Sequence, residues 1–148
     1  MILLIENDDA DVFLFRRALS RLSFGGQVHV VGSVSEARDY LEGRGRFADR
    51  KYFPVPDLIV SDMNLPGVTG NVFLEWIRKQ EGFAHIPFVF LSGTFMPAEE
   101  HRATAVLGTD SYFTKTGDIT VMTERVQSIL KFLPPADQAL PDETPPEK

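Results

Sequence analysis

PDLIVSDMNLPGVTG, residues 56–70, is the stretch that decides the fold of this chain. It begins with a short apolar run that is typical of a β-strand and that delivers Asp62 to the strand's C-terminal end. A turn is then favoured by Asn64, Pro66, Gly67 and Gly70. In an open α/β sheet, ligands bind beyond the carboxyl ends of the strands, so Asp62 is a candidate for chemistry. The alternative is that Asp62 only begins a polar turn, because aspartate is common in turns.

Other apolar runs of strand length occur before and after this stretch. They cover residues 2–5, 28–31, 86–91 and 111–114. Segments with helical spacing of their apolar residues lie between and after the runs. Because strands that alternate with helices build a parallel sheet covered on both faces, the pattern predicts an α/β fold with one five-stranded, doubly wound (βα)5 sheet.

Capping residues mark the starts of three predicted helices. The first helix covers roughly residues 9–22, with Asp8 or Asp9 as its N-cap. A capping box at Ser33 opens the second helix. Asp118 precedes the last helix, in which apolar residues recur at steps of three and four.

Three further segments complete the predicted elements. Residues 71–79 predict a third helix that turns Val72, Phe73, Trp76 and Ile77 inward. Residues 97–107 predict a polar helix of low propensity. Residues 44–56 are basic and predict a surface loop whose charges are solvated.

Composition limits the classes of protein to which this chain can belong. It has 148 residues and a formal net charge of −6, so it offers no basic stripe for a nucleic acid. The absence of cysteine excludes disulfides, thiolate zinc sites and a cysteine nucleophile. Residues 1–5 are apolar but lack the flanks of a signal peptide, and no apolar run is long enough to span a bilayer. We therefore predict a cytoplasmic protein with no nucleic-acid and no membrane partner.

The C-terminal residues differ in composition from the rest of the chain. Residues 134–148 contain five of the ten prolines and carry a net charge of −3. Such a segment cannot bury enough apolar surface to fold, so we predict a disordered acidic tail. The folded domain is predicted to cover residues 1–133.

Several of the predicted strands end in residues that can do chemistry. Glu6 and Asn7 end the first, Asp62 the third, Ser92 the fourth and Lys115 the fifth. Parallel strands present their C-terminal ends at one edge of the sheet, so these groups are predicted to converge. Carboxylate and amide oxygens suit Mg²⁺, while an ammonium and a hydroxyl can bind phosphoryl oxygens. The predicted reaction is phosphoryl transfer to the carboxylate of Asp62 as nucleophile.

Four separated motifs resemble the receiver domain of two-component response regulators, the CheY-like superfamily. They lie at residues 2–8, 57–67, 91–93 and 112–115, and their order and spacing match the family across residues 1–133. The resemblance implies a flavodoxin-like sheet with strand order 2-1-3-4-5. It also implies a response regulator of a phosphorelay.

For the site, the resemblance implies that Asp62 accepts a phosphoryl group from a sensor histidine kinase. Mg²⁺ would be bound by Glu6, Asn7, Asp62 and the backbone carbonyl of Asn64. The resemblance further implies intrinsic autophosphorylation and autodephosphorylation, which would set the chain apart from a dedicated metabolic enzyme.

The resemblance also implies how the signal leaves the site. Ser92 would follow the phosphate on activation, Lys115 would pair with it, and Tyr112 would be the switch aromatic. Since no output domain is present, we expect a single-domain regulator. A homodimer through the fourth predicted helix, the fifth strand and the last helix is a hypothesis. The 44–56 loop and the glutamate that opens the pocket resemble regulators of bacterial phytochromes, which makes a bacteriophytochrome a candidate kinase.

Two residues depart from the family pattern. Asn7 stands where an aspartate is usual, which predicts weaker Mg²⁺ binding. Asp8 or Asp9 either compensates for the missing charge or only caps the first helix. Thr116 stands where a proline after a cis peptide bond is usual, so the loop is either strained or trans. In a trans loop, Lys115 would be aimed differently.

Two other functions compete with the phosphoacceptor. A pseudo-receiver would keep the fold as an interaction module without being phosphorylated, as Asn7 and Thr116 suggest. A haloacid-dehalogenase-like phosphatase also places a nucleophilic aspartate at a strand end. That class has a second acid two positions later, where this chain has Asn64, and it ranks third.

Overall fold

The computed structural model of the chain describes residues 1–93 and 111–135. At its centre lies a five-stranded sheet whose paired strands are all parallel. Its strands are β1 (Ile2–Ile5), β2 (Val28–Val31), β3 (Leu58–Ser61), β4 (Phe88–Ser92) and β5 (Ser111–Thr114). Their order is β2-β1-β3-β4-β5, so the predicted α/β class and strand order are confirmed.

Helices in the described residues connect and cover these strands. They are α1 (Asp9–Arg21), α2 (Val34–Glu42), α3 (Gly70–Arg78) and α4 (Ile119–Leu130), with a 3-10 turn at Gly45–Phe47. The predicted caps are confirmed: Asp8, Ser33 and Asp118 each accept hydrogen bonds from backbone N–H groups in the first turn of the helix that follows.

The core lies in two layers because the central strands β1, β3 and β4 are buried on both faces of the sheet. Leu3 and Ile5 of β1 face the layer that contains the apolar residues of α2 and α3. Ile2 and Leu4 face the opposite layer, which contains those of α1 and α4. The helices therefore cover both faces, as a doubly wound sheet requires.

One local expectation was wrong. Val72 was predicted to face inward but is 56% exposed. The buried face of α3 is made by Phe73, Leu74 and Ile77, and a residue that precedes this face by one position points about 100° away from it.

The 44–56 loop is also more than a solvated basic segment. Arg50 donates hydrogen bonds to the carbonyl oxygens of Tyr40 at 2.8 Å, Leu41 at 2.5 Å and Phe53 at 3.1 Å. Carbonyl groups in the last turn of a helix have no partner within the helix, so this arginine satisfies the end of α2 and holds the loop against it.

Some expectations fall on residues that the structure does not describe. The helix predicted over residues 97–107 lies outside the described residues, and so does the predicted tail beyond residue 135. Within the described residues, no helix is both long and apolar enough to cross a membrane.

Candidate functional site

The register of the sheet brings the predicted site residues to one edge. Ile5 pairs with Ser61, so Glu6 and Asp62, which follow them, end neighbouring strands. Ser92 is the last residue of β4, and its carbonyl oxygen accepts a hydrogen bond from the Lys115 N–H at 2.9 Å. The predicted convergence of these groups therefore occurs at the carboxyl edge of the sheet.

Asp62 lies at the centre of this edge and is 8% exposed. Its Oδ1 accepts hydrogen bonds from the Ser92 hydroxyl at 2.7 Å and from the Asn64 N–H at 3.2 Å. Its Oδ2 accepts one from Lys115 Nζ at 2.8 Å. Both oxygens are held by donors, so the carboxylate has one fixed orientation.

Lys115 is surrounded by carboxylates. Its Nζ lies 2.5 Å from Glu6 Oε2 and 2.8 Å from an oxygen of both Asp11 and Asp62. Burial alone lowers the pKa of Lys115, but the hydrogen bonds to the three carboxylates outweigh burial and raise the pKa above its usual value. The ammonium is therefore charged at neutral pH.

Glu6 is a buried carboxyl group, and burial raises its pKa above the usual value. Two hydrogen bonds oppose this effect, one from Lys115 to Oε2 and one from the Asp8 N–H to Oε1 at 3.0 Å. The nearby charge of Asp62 adds to the rise in pKa. The contact with Lys115 thus favours the charged form of Glu6 and opposes the effect of burial.

The loop after Asp62 folds back on the site as a small hairpin. Asn64–Leu65 pairs antiparallel with Val68–Thr69, and Gly67 between them has a φ of 76°, a conformation that glycine adopts without strain. The hairpin brings the Asn64 N–H within reach of the Asp62 carboxylate. Glycine at position 67 therefore helps to place a hydrogen-bond donor in the site.

The remaining predicted residues lie around this centre. Asn7 is exposed directly after Glu6, and the Asn64 side chain is exposed as well. Tyr112 is half-buried, with its ring centroid 6.1 Å from that of Phe90. The metal roles of Asn7 and Asn64 and the switch role of Tyr112 stay predictions.

The structure bears on both departures from the family pattern. Asp8 caps α1 through its Oδ1, as the capping interpretation predicts, whereas Asp9 is exposed in the first turn. The peptide bond before Thr116 is trans, as are the other peptide bonds of the described residues. Lys115 nevertheless reaches Asp62.

Asp11 belongs to the site but was missed by the sequence analysis. It lies in the first turn of α1, and its Oδ2 accepts a hydrogen bond from Lys115 Nζ. The available signal was its spacing, because Asp11, Phe15 and Ala18 are separated by four and three residues and so share one face of the helix. Phe15 and Ala18 are buried, so Asp11 is an acid at the start of an apolar stripe.

The donor groups at this edge suit a hard divalent cation. Glu6 and Asp62 both approach the same ammonium and so lie side by side, and oxygen donors of this kind are those that Mg²⁺ prefers. Among the described residues, no three His, Cys, Asp or Glu side chains are grouped so that they could hold a metal. The predicted set does not need three, since Asn7 and Asn64 would supply amide and carbonyl oxygens.

Comparison with known proteins identifies the family. Residues 2–127 match the family model of the response regulator receiver domain. The chain belongs to this family. Its sequence is 27% identical to the response regulator Rcp1 of Synechocystis sp. strain PCC 6803 over 132 residues, which cover 89% of this chain and 87% of Rcp1. These findings do not favour the pseudo-receiver alternative.

A further curated relative and two solved structures are also similar to this chain. The probable methanogenesis regulatory protein FilR2 of Methanothrix harundinacea is 33% identical over 70% of this chain, but the match spans 64% of FilR2, less than two thirds of its length. The crystal structure of the phosphorylated cyanobacterial phytochrome response regulator RcpA superposes with a TM-score of 0.79 at 29% identity, covering 95% of this chain and 97% of RcpA. The Mn²⁺-bound form of Rcp1 gives a TM-score of 0.76 at 27% identity, covering 90% and 97% of the two chains.

Proposed function

We propose that this receiver domain is a phosphoacceptor in which Asp62 takes a phosphoryl group from a sensor histidine kinase. The observation that carries the proposal is the fixed carboxylate of Asp62, held by the Ser92 hydroxyl, the Asn64 N–H and the Lys115 ammonium. Phosphoryl transfer depends mainly on positioning and charge stabilisation, and this site supplies both.

The step can be written for the residues present. A carboxylate oxygen of Asp62 attacks the phosphorus of a phosphohistidine and the P–N bond breaks. The bonding electron pair stays on the ring nitrogen of the leaving histidine, and that nitrogen takes a proton from water. The product is an acyl phosphate on Asp62. Lys115 and Ser92 then donate hydrogen bonds to phosphoryl oxygens in place of the Asp62 carboxylate, which has lost its charge.

We propose that Mg²⁺ is the cation required for this step. Glu6 and Asp62 would bind it through carboxylate oxygens, Asn7 through its amide oxygen and Asn64 through its backbone carbonyl. When bound, the cation would supply positive charge opposite the phosphoryl oxygens. The side-by-side carboxylates of Glu6 and Asp62 support this assignment.

The relatives support a proposal about partners. RcpA is a phytochrome response regulator, and it covers nearly the whole of this chain. We propose that the cognate kinase is of the bacteriophytochrome type and that both proteins are cytoplasmic. Ser92 and Tyr112 are the residues that change conformation on activation in this proposal. A homodimer and a domain boundary near residue 133 stay predictions of the sequence.

Intact-mass spectrometry after incubation with acetyl phosphate and Mg²⁺ tests the phosphoacceptor. We expect one added phosphoryl group on the wild-type protein and none on Asp62→Asn. Asp57→Asn is the matched control, because Asp57 lies at the opposite end of β3 and should leave phosphorylation unchanged. Absence of the adduct in folded wild-type protein, with both acetyl phosphate and a phosphorylated kinase as donors, would refute the proposal.

A further inference from the structure

The site contains a carboxylate that none of the receiver motifs accounts for. Asp11 Oδ2 lies 2.8 Å from Lys115 Nζ, across 104 residues of sequence. We propose that Asp11 is a positioning residue that holds the Lys115 ammonium against Asp62. This inference rests on the proposed phosphoacceptor function, because it concerns how the lysine of that site is aimed.

The number of donors on Lys115 matches the number of carboxylates around it. An ammonium carries three N–H groups, and in this structure three carboxylates surround it, those of Glu6, Asp11 and Asp62. Glu6 and Asp11 can engage two of the donors, which leaves the third directed at Asp62. A lysine side chain has a flexible four-carbon stem, so two fixed partners restrict it far more than one does.

Asp11 is itself fixed by helix α1. Its backbone N–H donates to the cap residue Asp8 at 3.1 Å, and Phe15 and Ala18 on the same helix face are buried against the sheet. The Asp11 side chain is 30% exposed, whereas that of Lys115 is 12% exposed. Partial burial strengthens the attraction between the two charges and makes the contact more persistent than a surface ion pair.

The position of the contact also explains how Lys115 is aimed. The backbone N–H of Lys115 continues the ladder of β5 by donating to Ser92, and the following peptide bond is trans. The backbone thus fixes where the side chain starts, and Glu6 and Asp11 fix where the ammonium ends. Asp11 reaches it from a helix, while Glu6 and Asp62 reach it from strand ends.

A set of four variants tests the proposal. Asp11→Asn keeps the shape of the side chain and removes its charge, whereas Asp11→Glu keeps a carboxylate. Asp9→Asn is the matched control, because Asp9 is the other acid in the first turn of α1 but is not among the carboxylates that contact Lys115. Asp11→Ser provides a second neutral replacement should Asp11→Asn fail to fold.

Two quantities are measured on each folded variant. The first is the maximal rate of phosphorylation by acetyl phosphate at saturating Mg²⁺. The second is the ¹⁵N NMR signal of the Lys115 ammonium in protein labelled at lysine, assigned by its loss in Lys115→Arg. A held ammonium exchanges its protons slowly with water, so this signal reports the contact without requiring phosphorylation.

We expect Asp11→Asn to lose the ammonium signal and to be phosphorylated about fivefold more slowly, as removal of one charged hydrogen-bond partner predicts. Asp11→Glu should recover part of the ammonium signal and part of the phosphorylation rate, and Asp9→Asn should match the wild type in both quantities. An unchanged signal in folded Asp11→Asn would overturn the proposal, and so would a lost signal with an unchanged rate. Failure of the wild-type protein to be phosphorylated by both acetyl phosphate and a phosphorylated kinase would instead refute the proposed function, while the signal would still decide the contact.

Discussion

Replacing Gly70 with alanine should destabilise the domain and disturb the backbone beside Asp62. Gly70 begins α3, and its N–H donates to the carbonyl oxygen of Met63 at 2.7 Å. A Cβ atom on Gly70 would lie 2.5 Å from Cε1 of Phe90 and 2.9 Å from the carbonyl oxygen of Asp62. Both distances are shorter than carbon and oxygen atoms tolerate, so either the ring or the backbone must move.

The Phe90 ring and the Asp62 backbone cannot move away from Gly70 without a cost in free energy. The Phe90 ring is fully buried and packs at 5.0 Å from the ring of Phe88 and 6.1 Å from that of Tyr112. Overpacking of this kind costs about 1–3 kcal/mol, and the better helix propensity of alanine returns less than about 1 kcal/mol. We therefore expect a net loss of about 1–2 kcal/mol, equivalent to a melting temperature lowered by roughly 3–6 °C.

Urea unfolding followed by circular dichroism measures this loss. The matched control is Gly82→Ala, since a Cβ atom there meets nothing within 4 Å. We expect Gly82→Ala to be neutral or slightly stabilising, because alanine restricts the unfolded chain. Equal unfolding midpoints for Gly70→Ala and Gly82→Ala would show that the packing around Asp62 and Phe90 is looser than the distances indicate.

Two further predictions concern the metal and the core. Asn7→Asp adds a charged oxygen donor beside Glu6, so calorimetric titration should show Mg²⁺ binding roughly tenfold more tightly, and an unchanged affinity would contradict the role of Asn7. Burial raises the pKa of Tyr40 to about 12, and its hydroxyl donates to the Pro54 carbonyl at 2.8 Å. The unfolded chain therefore loses this proton first, and the free energy of unfolding should fall by roughly 2–3 kcal/mol as pH rises from about 10 to 12. Urea unfolding across this pH range should show a smaller fall for Tyr40→Phe, and an equal fall would assign the loss to other groups.

The sequence predicted the part of the site that follows from strand topology. Asp62, Ser92, Glu6 and Lys115 each sit at or just past the end of an apolar run, and a parallel sheet brings such ends together whatever the details of packing. The helix caps were predictable because they depend on local sequence patterns. The strand order was predicted only from the resemblance to receiver domains.

Asp11 was not predicted because its contact depends on tertiary packing. Spacing along α1 places Asp11 on the apolar face, but it does not state how far the helix sits along the sheet or which strand end its first turn reaches. Only the packing of α1 against the sheet brings Asp11 to Lys115. The same limit applies to Arg50, whose partners in α2 become available only once the 44–56 loop folds back.

The charged cluster at the carboxyl edge of the sheet lowers the folding stability of the domain. Glu6, Asp11 and Asp62 oppose a single ammonium, so the cluster carries an excess of negative charge in a partly buried place. Burial and the neighbouring Asp62 raise the pKa of Glu6, which means that keeping Glu6 ionised costs folding free energy. Apolar residues of similar volume would avoid this cost. A bound cation would offset the repulsion among these carboxylates. We infer that the excess negative charge serves cation binding at the expense of folding stability.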